Sequence, residues 1–223
     1  MDVQNVGDLA IINLLKSRIK NAENTMSNQL AAAMYSDGAG SSGKEIGGLQ
    51  LLIADDPTSG TVGGINRAQW TFWQNGVFDC SSAGANASAA NIQGYMYTTY
   101  NRTVRGRDHA DLIMADSNFY GFFQQSLQAI QRVTNPELAK LGFANLQYIN
   151  TDVVLDGGIG GNCPTNHMYF INTSYLKFRP SATRNMVPLE AVHSINQDAM
   201  VKLIVFAGNM TLSNAMLQSV IKN

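Results

Sequence analysis

The stretch Asp8–Gly38, DLAIINLLKSRIKNAENTMSNQLAAAMYSDG, decides how the rest of the chain is read. Ile11, Leu15, Ile19, Ala22, Met26, Leu30 and Ala33 recur at steps of three and four, which places one apolar stripe on one face of a helix. Lys16, Arg18, Lys20, Glu23, Asn24 and Asn28 fall mostly off that stripe. No Gly or Pro interrupts residues 8–36, Asp8 is placed to cap the start, and Gly38 offers the left-handed turn that stops helices. At about 1.5 Å per residue the predicted helix is a rod of roughly 42 Å. The average globular helix has only about 11–12 residues. A helix of this length is expected to serve as the backbone of a whole domain.

Outward from that rod, residues 37–48 read as a polar loop and Leu49–Ala54 as a buried strand. Residues 55–69 are rich in turn formers, and Trp70, Phe72 and Trp73 cluster after them. The spacing of Ile92, Tyr95, Met96, Thr99 and Val104 predicts a second helix over about 88–104. Ala110–Ala115 reads as a short strand, followed by a helix capped by Asp116 or Ser117 and running to about Val133. Strands are expected at Phe143–Ile149, Val153–Leu155, Met168–Ile171, Leu176–Arg179, Val192–Gln197 and Ala199–Ala207, and a last short helix at Ser213–Ile221. The fold class is therefore α+β, with the main change of domain near residue 48.

Composition narrows the function classes. Of the 223 residues 45% are hydrophobic and only 14% charged, with a net charge of −1. Soluble globular proteins usually carry about 25% charged residues. Either much of the surface is buried against partners or the surface is neutral and amide-rich. The balance leaves no basic footprint for nucleic acid. No apolar run approaches the roughly 20 residues of a membrane helix. The first ten residues lack the basic start and apolar core of a secretory signal. Two cysteines, Cys80 and Cys163, make no disulfide framework, so synthesis in a reducing cytosol is expected. The sequons at Asn86, Asn101, Asn172 and Asn209 are then chance products of an Asn-rich chain.

The order of these pieces carries a resemblance. A long helix ends in Tyr35-Ser36-Asp37-Gly38, a loop leads to Gly47-Gly48-Leu49, and a Gly-rich stretch ends in Gly63-Gly64-Ile65-Asn66-Arg67 before Trp70. Then come DLIMADSNFYGFFQQSLQAIQRV (111–133), YINTDVVLDGGIGGNCPTNHMYFINTSYLKF (148–178) and SINQDAMVKLIVFAGNMTLSNAMLQSVI (194–221). Together they resemble, over nearly the whole chain, tailed-bacteriophage major capsid proteins with the Johnson fold, the Hong Kong phage type. The resemblance implies a spine helix of the peripheral domain over 1–47, an axial domain over about 48–175, and C-terminal strands over 176–223 that return to both. It implies a structural virion protein, made in the host cytoplasm, that joins copies of itself into the pentamers and hexamers of an icosahedral shell around DNA. Scaffold, portal and decoration proteins are the further partners it implies. It places Asn135, Pro136, Glu137 and Lys140 in the loop nearest the capsomer axis. Family members carry an N-terminal arm and an extended loop before the spine, whereas about seven residues precede Asp8 here: either the chain is a fragment, or its numbering starts late in a longer protein, or it is a reduced member.

Other chemistry is weaker in the sequence. Gly38-Ala39-Gly40-Ser41-Ser42-Gly43-Lys44-Glu45 matches the glycine and lysine positions of a phosphate loop, but ends in Glu where a hydroxyl would hold Mg²⁺. It also follows a helix and precedes a strand, the reverse of the phosphate-loop order. A nucleotide-binding or enzymatic domain using Gly43-Lys44 is the alternative reading. Cys163 and His167 are four apart, yet Cys80, His109 and His193 have no metal-ligand spacing around them. Asp55-Asp56 reads as a solvated turn, and Arg102, Arg105 and Arg107 as a solvated helix end. Trp70, Phe72 and Trp73 are expected in the core or as a plug between subunits. No catalytic residue, cofactor or metal is expected.

Overall fold

A computed structural model of the chain describes residues 8–127, 145–158, 161–190, 192–193 and 200–223. Helix α1 runs from Asp8 to Ala33 without a break, 26 residues or about 39 Å. Ile19, Met26, Leu30 and Ala33 are its half-buried positions among residues 16–33, along the apolar stripe. It stops three residues before the expected end. Tyr35 and Ser36 donate to Ala32 and Ala33, the tighter i−3 pattern that closes a final turn, and Gly38 takes a left-handed φ of +74°.

The loop after α1 folds back onto the helix end. It contains the single turn α2 (Gly40–Gly43), whose Ser41 and Ser42 are left-handed. Ser36 and Met34 accept from the Gly48 and Leu49 amides at 3.0 and 2.7 Å. The segment expected to be a buried strand, Leu49–Ala54, instead forms a one-turn helix, α3 (Leu49–Leu52). Leu49, Leu52 and Ile53 are buried as expected. A short apolar run does not distinguish strand from helix by its period. The backbone partners decide it: Arg67 Nη2 occupies the Leu51 and Leu52 carbonyls at 2.9 and 2.7 Å. Gly63 and Gly64, both at positive φ, turn the small hairpin of β1 (Thr61–Val62) and β2 (Ile65–Asn66). A 3₁₀ turn at Thr71–Trp73 follows.

A six-stranded mixed sheet forms the main lobe. Its strands are β3 (Gly76–Asp79), β4 (Leu112–Ala115), β5 (Asn145–Tyr148), β6 (Thr151–Leu155), β7 (His167–Ile171) and β14 (Ser219–Lys222), in the order β3-β14-β7-β4-β6-β5. Pairs β14–β3 and β4–β6 are parallel; the other three are antiparallel. Period-two alternation sends Ile113, Ala115, Met168, Phe170 and Ile221 to one face, against α4 (Ile92–Thr103) and α5 (Ser117–Ser126). Leu112, Met114, Tyr169, Ile171 and Val220 go to the other face, where Tyr35, Leu49, Leu52 and Ile53 cover them. Residues on both sides of position 48 thus share one core. The Asp116 carboxylate caps α5 by accepting the Phe119 amide at 3.0 Å, as expected, and residues beyond 127 in the anticipated helix lie outside the described residues.

Two expectations fail near the C-terminus. Ser213–Ile221 was expected to be helical, but Ser219–Lys222 is strand β14, inserted between β3 and β7. Insertion buries Val220 and Ile221 on opposite faces, which a two-sided apolar run satisfies better as a strand than as a surface helix. The strand expected at Val192–Gln197 is seen at 192–193, its remainder lying outside the described residues, and the strand expected at Ala199–Ala207 is broken into short ladders of a two-stranded ribbon. In it β8 (Leu176–Pro180) pairs with β13 (Gly208–Leu212), β9 (Val187–Pro188) with β12 (Ile204–Val205), and β10 (Val192–His193) with β11 (Met200–Val201). The ladder breaks where the Ser181 amide donates to the Ala207 carbonyl and the Ala207 amide donates to the Arg184 carbonyl, with Met186 at φ +52°. Residues 194–199 lie outside the described residues. Helix α1 lies along this ribbon: Met26, Leu30 and Ala33 share a cleft with Phe206, and Ile19 and Ala22 share one with Pro188 and Ile204.

Gly48 sits where α1 meets the returning chain. A Cβ there would stand 2.5 Å from the Met34 carbonyl oxygen and 2.5 Å from the Ser36 nitrogen, both backbone atoms. Gly48→Ala is expected to lower stability by about 1–3 kcal/mol, read as a shift in the denaturant midpoint with unchanged slope.

Candidate functional site

The phosphate-loop lookalike does not form a phosphate cradle. Ser41 and Ser42 make a left-handed turn, and the Gly40 amide, which would face a phosphate, donates to the Glu45 carboxylate at 3.1 Å. Arg102 donates to the Val77 carbonyl on edge strand β3. Arg105 exchanges backbone bonds with Asp108 at 2.8 and 3.1 Å, closing the turn after α4. Asp56 accepts from the Thr58 amide, the Thr58 hydroxyl and the Ser59 hydroxyl, which hold its carboxyl below the usual range. The solvated-turn reading of Asp56 therefore fits. Its neighbour Asp55 differs: it meets His167 at 2.9 Å.

Among the described residues no group of three or more His, Cys, Asp and Glu side chains could hold a metal ion. Cys163 Sγ lies 3.7 Å from the His167 carbonyl oxygen, and burial raises its thiol well above the ordinary range. Cys80 is buried, and desolvation pushes it up to about 11. Both thiols are held in their unreactive form at neutral pH. His109 Nδ1 meets the Ala110 carbonyl at 2.9 Å. Asn135, Pro136, Glu137 and Lys140, assigned to the capsomer-axis loop, lie outside the described residues.

Buried polar side chains serve the backbone. Gln218, fully buried, accepts the Asn172 amide at 2.9 Å and donates to the Asn172 carbonyl at 3.2 Å. Asn75 makes the same reciprocal pair with Ala54 at 3.0 and 2.9 Å. Arg67 is 2% exposed, and burial pulls its guanidinium below its ordinary value. No local pattern in the sequence gives these three residues their roles; each acts through a partner outside its own segment.

The surface has a different character. Trp70 and Phe72 are each 53% exposed with ring centroids 5.7 Å apart, whereas Trp73 turns inward and donates to the Val62 carbonyl. Of the three aromatics only Trp73 joins the core periphery. On the ribbon, Val192, Leu203, Leu189 and Val187 are 65, 57, 44 and 38% exposed. Pro188 and Ile204 face α1, so Val187, Leu189 and Leu203, one residue out of phase, face away from it.

The described chain is thus a mixed helix-and-sheet protein whose first helix lies along a two-stranded ribbon that leaves and rejoins a six-stranded sheet. This architecture is shared with a chain of the cyanophage A-1(L) capsid asymmetric unit, with a TM-score of 0.68 and 17% sequence identity. The likeness covers 93% of this chain and 68% of that one. No family model matches the sequence, and no curated protein matches it. The fold is that of a phage capsid chain.

Arg67 supplies this subsection's prediction. Arg67→Met leaves the Leu51 and Leu52 carbonyls without their donor, and is expected to cost about 1–3 kcal/mol per buried group left unpaired. Urea unfolding of the variant and the parent chain measures it.

Proposed function

We propose that the chain is a structural virion protein, a major capsid subunit of the Johnson fold that associates with copies of itself into pentamers and hexamers of a phage shell around DNA. The observation that carries this reading is the likeness to a capsid chain over 93% of the sequence. In this reading α1 is the spine, and α1 with the ribbon is the peripheral domain. The sheet lobe, mostly within 48–175, is the axial domain, and the C-terminal strands of 176–223 return to both. Asn135, Pro136, Glu137 and Lys140 belong to the loop at the capsomer axis, and scaffold, portal and decoration proteins are further partners.

The chemistry of the surface supports the assignment. Heterologous rings bury large areas in which an unpaired charge is costly. A chain with 14% charged residues and half-exposed aromatics on a short turn meets that demand. No helix among the described residues is long and apolar enough to cross a membrane. The protein acts by area rather than by catalysis, and ATP with Mg²⁺ is expected to give no binding heat in calorimetry, with or without Lys44→Ala.

Light scattering and negative-stain microscopy test the proposal. Rings, shells or sheets are expected from the purified protein; a protein that stays monomeric at all concentrations overturns it. Replacing Trp70 and Phe72 by Ser is expected to raise the concentration needed for assembly by about tenfold or more, equivalent to about 1.4 kcal/mol per subunit, while the unfolding midpoint changes little.

A further inference from the structure

We propose that His167 and Asp55 form a proton-operated clasp between the segment that follows α3 and the six-stranded sheet, closed while the imidazole carries its second proton and open without it. The contacts of the ring support this. His167 Nδ1 lies 2.8 Å from the Thr165 carbonyl oxygen, and Nε2 lies 2.9 Å from Asp55 Oδ2. A carbonyl oxygen and an ionised carboxylate only accept. Both ring nitrogens must therefore donate, and only the imidazolium has two N–H groups. A neutral ring satisfies one contact and sets a lone pair against an oxygen at the other.

The surroundings fit a charged ring. Burial alone would push the imidazole down, but the hydrogen bonds to Asp55 and Thr165 and the charges of Asp55 and Asp116 outweigh it and raise it above its ordinary value. Tyr169 stacks beside the ring at 6.0 Å, and the Cys163 thiol meets the His167 carbonyl oxygen rather than the ring. Lys222 stands opposite His167 in the β14–β7 register, and its charge is shared with Asp79 at 3.7 Å. Asp56, next to Asp55, is occupied by Thr58 and Ser59. The histidine side chain is 16% exposed and the aspartate 47%, so solvent reaches the pair and protons can exchange.

The clasp sits at a second point of attachment. Ala54 is already held by the Asn75 amide, whose bonds carry no titratable group. Asp55–His167 adds a joint 112 residues apart in sequence that depends on pH. The sign follows from the raised value. The contribution is complete below the ordinary histidine value of about 6.5 and disappears as pH rises through the higher folded value. The segment is fastened in mildly acidic solution and loosened in alkaline solution.

The test is an NMR titration of the His167 ring nitrogens in the intact chain, with urea unfolding of the parent, Asp55→Asn, His167→Gln and the double variant at pH 6 and pH 9. Because Asp55 is half-exposed, these variants are expected to fold. His167 should titrate above about 6.5, and Asp55→Asn should return it to that value or below. Either single variant should raise the unfolding constant about two- to fivefold at pH 6, as for a partly exposed charged pair, with no further loss in the double variant and no difference at pH 9. A His167 that titrates at or below the ordinary value, or that ignores Asp55→Asn, overturns the clasp. So does an effect of equal size at both pH values.

Discussion

The last strand, Ser219–Lys222, holds the molecule together. It runs parallel to β3 and antiparallel to β7, so it joins residues 76–79 to residues 167–171. Val220 enters one core and Ile221 the other. Just before it, the Gln218 amide clamps the backbone of Asn172, where the chain leaves the sheet for the ribbon. Departure and return of the ribbon are thereby fixed side by side, at adjacent ends of two neighbouring strands of one sheet. Helix α1 reaches the same place from the other direction, because Tyr35 packs on Tyr169 with ring centroids 6.2 Å apart. Sheet, ribbon and long helix share a single junction, and everything built outward from it takes its direction there.

That junction explains which parts of the fold were legible in the sequence. Local signals sufficed for α4 and for the Asp116 cap, where period and capping chemistry agree within a few residues. They sufficed for β4, β6 and β7, whose apolar runs are bounded by turn formers. They failed at α3 and β14. In both, a short apolar run carries no decisive period, and its conformation is chosen by a partner outside the run: Arg67 for α3, and β3 with β7 for β14. The ribbon failed differently. Two strands with one neighbour each tolerate breaks that a strand in the middle of a sheet does not. The order of segments, more than any one of them, carried the resemblance to capsid proteins.

The candidate chemistry was legible mainly in the negative. The phosphate-loop lookalike was doubtful because of Glu45, and Glu45 is the group that occupies the Gly40 amide. Asp55 and His167 were each noted for other reasons, and no spacing rule joins residues so far apart. Trp70 and Phe72 were placed either inside or between subunits; their exposure rules out the first. What remains for function is surface: an aromatic turn, and the apolar ribbon face turned away from α1.

Hydrogen exchange, compared between unassembled and assembled protein, tests whether copies of the chain cover those surfaces. New protection is expected at residues 66–73 and along 187–189 and 203–205, with the six-stranded sheet unchanged. Assemblies that leave both surfaces exchanging as fast as in the free chain would contradict the account.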